Sequence, residues 1–467
     1  MSERPSPVVA ILTLGCKLNQ ADSQALAREL LAHGCQIIDR AAPADAVIIN
    51  ACSVTHVADR KSRHLVRLAR RLAPEATIVL TGCYEQNGDG HDLARRLGAD
   101  WLVAGAGKPA IAQRLLRQWQ ERGRPDGSPA AVQPGDGLRT RAFVKVQEGC
   151  NEVCAFCIVP RTRGRERSVP VGDVVAQVLA RQAEEAKEVV LTGTQVGNYG
   201  RDLGPARSLE DLLAALLAET TVPRLRLSSL QAQDISDDLL RLWQGRLCRH
   251  FHLPLQSGSD RILAAMRRRY TVDQFRRAVA LIRREVPDVA VTTDVIVGFP
   301  GETDEDFQHT HDLCQELAFA AIHVFPYSRR PGTLAALARE QVPHAVKRQR
   351  LELMLELARS CADAFRARFQ GRTMDVLWEE AKRSEDGRQP LWRGLTDNYL
   401  RVYTSARGGS ASGRWADIDL ANRLVAARLG EPVADGLWGE LQPGADPLPA
   451  EVGSGRPACR QAGWIEG

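Results

Sequence analysis

The 467-residue chain has no run of eighteen or more apolar residues, so no membrane-spanning helix is expected. Its first residues, Met1 to Pro7, are polar and lead straight into an apolar run. A secretory signal peptide is therefore not expected, and the location reads as cytoplasmic. Complete disulfide pairing is excluded, because the eleven cysteines are odd in number. In a cytoplasmic chain, cysteines in this number point to metal binding or catalysis. Histidine is missing between His91 and His250, and cysteine between Cys157 and Cys248. A cysteine cluster inside that gap has no nearby fourth ligand of the kind zinc needs. What is present reads as soluble and globular, with 44% hydrophobic and 25% charged residues. A net charge of +5 permits a nucleic-acid partner without demanding one.

Inside the gap lies Gly149-Cys150-Asn151-Glu152-Val153-Cys154-Ala155-Phe156-Cys157. It follows an alternating strand at 143–147. Three thiolates from one loop can hold three irons of a [4Fe-4S] cube and leave the fourth iron open. With Phe156 just before the third cysteine, the pattern resembles the radical S-adenosylmethionine (SAM) enzymes, whose open iron chelates SAM. The loop that follows, Pro160 to Arg167, is rich in arginine. It reads either as a solvated surface or as a grip on an anionic substrate or the SAM carboxylate.

Residues 6–120 alternate between apolar runs and amphipathic segments. Strands are predicted at 8–14, 46–50, 76–81 and 101–103, with helices at 22–33 and 56–72. This order implies a doubly wound parallel sheet. Cys16, Cys52 and Cys83 each follow a strand within a residue or two, so all three fall on the carboxyl edge where such sheets bind ligands. A second metal centre and three packed structural cysteines both fit. Gly15 and Gly82 precede two of them and suggest a close backbone approach to something bulky. Cys35, Cys248, Cys314 and Cys361 read as packing residues, and Cys459 as irrelevant to function. On the helix after Cys52, Arg60, Arg63, Arg67, Arg70 and Arg71 share one face and Val57, Leu65, Leu68 and Leu72 another. The basic face is either solvated or tracks a phosphate backbone.

Residues 121–140 are rich in proline and glycine and read as a linker. Over 141–369, strands at 143–147, 188–192, 224–228, 250–255, 289–297 and 321–326 alternate with helices. Six βα units without reversal predict a (β/α)6 partial TIM barrel with its site at the carboxyl ends of the strands. Candidate cofactor contacts there are Gly193, Thr194, Ser229, Gln256 and Val297, with Phe156 from the cysteine loop. Short strands at 374–378, 397–403 and 436–441 predict a small β-barrel over 370–442. Residues 443–467 are expected to be disordered.

Taken together, these features resemble the methylthiotransferases, a family of radical SAM enzymes. The resemblance implies an N-terminal cluster domain, a central radical SAM barrel and a C-terminal RNA-binding TRAM barrel. It implies that Cys16, Cys52 and Cys83 hold an auxiliary [4Fe-4S] cluster, and that Cys150, Cys154 and Cys157 hold the one that binds SAM. Cys16-Lys17-Leu18-Asn19 and the run from Cys52 to Arg63 resemble the branch acting on threonylcarbamoyladenosine in tRNA. The isopentenyl-adenosine branch usually has Gln-Met-Asn after its first cysteine, and the ribosomal-protein branch Pro-Lys-Asn. Ala51 and Gln20-Ala21-Asp22 depart from the family pattern without removing a ligand. The implied reaction adds a methylthio group to C2 of the adenine at tRNA position 37, beside the anticodon. Reduced flavodoxin or ferredoxin is the expected electron donor and a monomer the expected state. No catalytic acid or base is identifiable, and a non-catalytic iron-sulfur RNA sensor is the alternative of another class.

Overall fold

Runs of aliphatic and β-branched residues form five parallel strands in the N-terminal part of the chain. They are β1 (Val8–Thr13), β2 (Gln36–Ile38), β3 (Ala46–Ala51), β4 (Thr77–Gly82) and β5 (Trp101–Leu102), in the order β2-β1-β3-β4-β5. The helices are α1 (Lys17–Ala32), α2 (His56–Leu72), α3 (Gly90–Leu97) and α4 (Ala110–Glu121). Alternate strand residues pack to opposite faces. Val9, Ile11, Ile48 and Val79 meet α1 and α4, while Leu12, Val47, Ile49 and Leu80 meet α2 and α3. The sheet is therefore doubly wound, and its order reverses at β1. The carboxyl ends of β1, β3 and β4 lie side by side. A computed structural model describes residues 6–83, 90–121, 140–204, 207–383, 390–405 and 419–442. The expected linker, apart from its end residues, and the expected disordered tail with Cys459 lie outside the described residues.

Six further parallel strands stand side by side in chain order. They are β6 (Arg141–Lys145), β9 (Glu188–Thr192), β10 (Arg224–Leu227), β11 (His250–His252), β12 (Ala290–Val297) and β13 (Ala321–Pro326). Isolated bridges, Leu225 to Leu247 and Ser229 to His252, link the two groups of three. Among the described residues nothing pairs β13 with β6, so the predicted partial barrel is an open one. Between β6 and β9, the short antiparallel pair β7 (Gln147–Glu148) and β8 (Arg167–Ser168) closes the base of the cysteine loop. Val144, Leu191, Leu227, Leu253 and Val295 face outward into a core shared with the helices. Arg141, Lys145, Glu188, Arg226, His252 and Asp294 alternate with residues of that core and face inward.

Helix α1 covers the free edge of β6. Gln24 Oε1 accepts from the Phe143 amide at 2.8 Å and Gln24 Nε2 donates to the Arg141 carbonyl at 3.2 Å. Among the described residues those backbone groups have no strand partner on that side, and Gln24 satisfies them. Ala21 packs between Phe143 and Val190 on the inner face. This helix starts at Lys17 with Cys16 as its N-cap, five residues earlier than the sequence pattern suggested.

The chain divides into two compact units, Met1–Arg368 with Asp397–Tyr399, and the remainder. The second unit is a closed five-stranded barrel: β14 (Thr373–Arg383), β15 (Pro390–Thr396), β16 (Arg401–Ser405), β17 (Arg423–Val433) and β18 (Gly436–Leu441). Val376, Trp378, Val402, Leu429 and Leu437 are fully buried in it. The expected strand over 397–403 is broken. Tyr399 has φ of 69°, a turn conformation, and only Arg401 onward is strand. Among the described residues no helix is long and apolar enough to cross a membrane.

Candidate functional site

The N-terminal triad is built from three strand ends. Cys16 follows β1, Cys52 follows β3 and Cys83 follows β4, as their spacing predicted. Two glycines let these ends meet. Gly15 has φ of 99°, and a Cβ there would lie 2.8 Å from Cys52 Cβ. Gly82 has φ of 103°, and a Cβ there would lie 2.1 Å from the Ala51 carbonyl oxygen. The sequence suggested a close approach to something bulky; what these glycines approach in the structure is the neighbouring strand end. Cys16 is the N-cap of α1 and is exposed. Burial pushes the Cys52 thiol up to about 12, and the neighbouring Cys83 and Cys16 add to this. Burial also raises Cys83, while Arg163 opposes it.

Arg163 comes from the arginine-rich loop and lies in α5 (Val159–Arg163), immediately after the second triad. Its side chain is only 3% exposed. Its Nε donates to Cys83 Sγ at 3.3 Å, Nη1 to Glu148 at 2.9 Å, and Nη2 to Asn19 Oδ1. Around it, Asp22 is paired with Lys108 and, at 2.8 Å, with Lys145, which reaches Glu148 at 3.0 Å. Burial alone would raise the Asp22 carboxyl, but Lys108 and Lys145 bring it below its usual range. With Arg167 4.0 Å from Glu148, four cations face two carboxylates, and one of them, Arg163, touches the Cys83 sulfur.

The second triad occupies the loop closed by β7 and β8. The Glu152 amide donates to Cys150 Sγ at 3.4 Å, and Cys150 Sγ lies 3.7 Å from Gln195 Oε1. Arg268 Nη1 donates to Cys154 Sγ at 3.3 Å, while its other nitrogens hold Gln231 and Tyr270 at 3.0 and 3.2 Å. Burial pushes Cys150 up to about 11 and Cys157 up to about 12. Each triad therefore has one arginine on one sulfur. Among the described residues, the one group of three candidate ligand atoms within 4.8 Å of one another is His252, Asp294 and His323. Neither cysteine triad is gathered that tightly, and a cube spreads its thiolates over different irons.

The candidate SAM contacts differ in how they fit. Phe156 and Ile296 pack on a small cluster with Ala155, Phe299 and Tyr327 beside the loop. Gly193 follows β9, against Gln147. Among the described residues, Thr194 Oγ1, Gln195 Nε2 and Ser228 Oγ, at the ends of β9 and β10, are buried with no hydrogen-bond partner. Such orphaned atoms at strand ends suit a polar cofactor. Ser229 and Gln256 are half-buried at the ends of their strands. Val297 packs its side chain in the outer core, and its carbonyl accepts from the Tyr327 amide at 2.8 Å, which leaves the strand end itself for a cofactor. The inward residue at this strand end is Ile296.

The expected arginine face of α2 is reduced. Arg63 pairs with Asp59 at 2.9 Å, and Arg70 binds the Gly98 and Pro74 carbonyls and Asp100. Arg60, Arg67 and Arg71 remain exposed. The buried face is Ser62, Val66 and Ala69, whereas Val57 is 51% exposed. Cys35, Cys248, Cys314 and Cys361 are buried, as packing residues would be.

The barrel interior is polar. His252 Nε2 lies 3.3 Å from Asp294, and His252 Nδ1 lies 3.0 Å from Thr292 Oγ1. Arg226 holds Glu188 through two bonds of 2.7 and 3.0 Å. Tyr399 stacks on His250 at 4.5 Å and is flanked by Lys17, Arg141 and Arg226. Burial raises the Tyr399 phenol, but Arg141, Lys17 and Arg226 together bring it down to about 8. Burial instead raises the phenols of Tyr199, Tyr270, Tyr327 and Tyr403. Metal-free protein is expected to show a tyrosinate absorbance step near pH 8 that Tyr399→Phe removes. An unchanged step would refute the assignment. Because the free phenol ionises near pH 10, Tyr399 adds nothing to stability below about pH 8. Its contribution appears as pH rises from there toward about 10.

Arg163, Arg268, Lys17 and Tyr399 were not identifiable as site residues from sequence. Arg163 lay in a stretch already marked as basic, but no local signal separates it from Arg161 or Arg165.

Two sequence families match the chain. Residues 8–105 match the Uncharacterized protein family UPF0004, and residues 144–314 match the Radical SAM superfamily. The chain is 36% identical over 414 residues to the threonylcarbamoyladenosine tRNA methylthiotransferase MtaB of Bacillus subtilis, covering 84% of this chain and 89% of that protein. It is 33% identical over 448 residues to a tRNA-2-methylthio-N(6)-dimethylallyladenosine synthase of Syntrophomonas wolfei, covering 92% and 97%. Among solved structures, the radical S-adenosylmethionine methyltransferase TsrM of Kitasatospora setae, with cobalamin and a [4Fe-4S] cluster bound, superposes with a TM-score of 0.50. The match covers 71% of this chain and 74% of that one at 16% identity, and it shows a shared fold alone.

Proposed function

Because the chain belongs to the radical SAM methylthiotransferase family, we propose that it adds a methylthio group to C2 of N6-threonylcarbamoyladenosine at position 37 of tRNA. The observation that carries this reading is Arg163, which starts six residues after Cys157 and ends on Cys83. One short helix thereby couples two thiolate triads within one compact unit.

In this reading Cys16, Cys52 and Cys83 hold one [4Fe-4S] cluster, and Cys150, Cys154 and Cys157 hold the other with SAM. When bound, these groups supply one-electron activation of a C–H bond and the sulfur that replaces the hydrogen. The chain's residues do the rest. Thr194, Gln195 and Ser228 offer unpaired polar atoms to SAM, with Phe156, Gly193, Ser229, Gln256 and Ile296 around them. Arg163 and Arg268 hold one thiolate of each triad by charge-assisted hydrogen bonds. The barrel wall keeps bulk water from the reacting edge of the base. A base in the anticodon loop is already unpaired, so bringing it into the barrel costs little. The second unit, with Arg428 exposed, would add salt-dependent RNA affinity. A reduced flavodoxin or ferredoxin in the cytoplasm would deliver the electron to a monomeric enzyme.

The choice of a threonylcarbamoyl substrate is supported by the charged barrel interior. A dimethylallyl group is a hydrocarbon and has nothing to offer Lys17, Arg141 or Arg226. Overall identity does not separate the two relatives. Nucleoside mass spectrometry of tRNA from a deletion strain tests the choice. The 2-methylthio-threonylcarbamoyl nucleoside should disappear and return with the gene. Its persistence, with loss of the dimethylallyl counterpart, would assign the other substrate. Loss of neither would leave the ribosomal-protein or sensor readings.

A further inference from the structure

We propose that Lys17 is the anchor for the carboxylate of the threonyl group, and so the residue that selects an anionic substituent over a neutral one. The inference rests on the threonylcarbamoyl reading above and names the contact that reading requires.

Helix α1 begins at Lys17, directly after Cys16, and lies along the inner residues of β6 and β9. Lys17 therefore projects into the barrel from a point adjoining the N-terminal triad. Its Nζ lies 5.7 Å from the centre of the Tyr399 ring. Among the described residues it makes no hydrogen bond. The other charges nearby are engaged: Arg226 with Glu188, Arg249 with Asp397 at 2.6 and 3.0 Å, and Asp294 with His252. An ammonium group with unused donors in a partly dry site is an open position for an anion.

The charge balance agrees. Lys17, Arg141, Arg224 and Arg226 cluster at this level, against Glu188 and the already chelated Asp397. The interior also has room. Phe325 alternates with outward-packed Val324, yet it remains 42% exposed, and Lys17 itself is only half-buried.

The geometry of the base fits this placement. C2 and the carbon that bears N6 both flank N1 of the six-membered ring. A base whose C2 faces the cysteines therefore keeps its N6 substituent on the edge nearest them. The lysine side chain, rooted beside Cys16, starts from the same place. A carboxylate at the end of that substituent meets Nζ, where a dimethylallyl group would leave the ammonium unpaired.

The test is binding, measured without SAM on anaerobically reconstituted protein. Four anticodon stem-loops are compared, carrying at position 37 threonylcarbamoyladenosine, its threoninamide counterpart, dimethylallyladenosine or adenosine. Wild-type protein should favour the carboxylate over the amide by about 10- to 100-fold, the range of a hydrogen bond to a charged group. In Lys17→Met and Lys17→Gln that preference should collapse, because affinity for the carboxylate falls and affinity for the amide holds. Lys17→Arg should keep part of it. The amide loop also reports whether each variant is folded. If the variants retain the preference, or weaken both loops equally, Lys17 is not the anchor and the substrate reading stands. If wild-type protein prefers the dimethylallyl loop to both threonyl loops, the substrate reading itself falls.

Discussion

Arg163→Met is expected to lower the stability of the first unit by about 3–5 kcal/mol, the cost of breaking a buried ion pair from one side. Arg163 touches Cys83, Glu148 and Asn19 at once and is almost fully enclosed. Methionine fills much of the same volume but leaves Glu148 and Asp22 with less positive charge nearby. Glu148→Gln in the same chain should recover part of the loss, since it removes the stranded carboxylate. Arg163→Lys should recover the charge without the fork that spans three partners. Urea titration of metal-free protein measures all three. A loss below about 1 kcal/mol would place Arg163 with ordinary surface pairs and would undo its assignment as the link between triads. In reconstituted protein the same variant removes a hydrogen bond from a thiolate, so the potential of that cluster should become more negative.

Much of the architecture was legible because it follows from local pattern. The strands before Cys16, Cys52 and Cys83 are short aliphatic runs, and parallel order places their ends on one edge. Tertiary choices were not legible. On α2 the hydrophobic count favoured Val57, Leu65, Leu68 and Leu72, but the helix approaches the sheet on small residues. Ser62 Oγ bonds the Cys52 carbonyl at 3.0 Å, a contact that a larger residue would prevent. On β12 a period of two cannot say whether Ile296 or Val297 faces inward. In the run from Asp397 to Tyr403, β-forming residues suggested one strand. The first three instead belong to the first unit, where Tyr399 meets His250. The arginines at Cys83 and Cys154 come from distant segments, and nothing in their own neighbourhoods marks them.

The largest functional effect is expected from removing the N-terminal triad. Cys16→Ala, Cys52→Ala and Cys83→Ala together delete three thiolates at the ends of β1, β3 and β4, while the loop of Cys150, Cys154 and Cys157 keeps its own frame of β7, β8 and Arg268. The variant should still cleave SAM to 5′-deoxyadenosine when reduced, because that chemistry needs only the loop triad. On the proposed reading it should add no methylthio group to tRNA, because the triad assigned to the sulfur-bearing centre is gone. Alanine is close to cysteine in size, so the strand ends should hold their positions. The converse variant, without the loop triad, should lose both outputs.

The division of labour between two centres is tested most directly by iron and sulfide per chain in anaerobically reconstituted wild-type protein and in the N-terminal triple variant. At four irons per cube, the account predicts about eight irons per chain in the wild type and about four in the variant. Equal iron in the two proteins would contradict it.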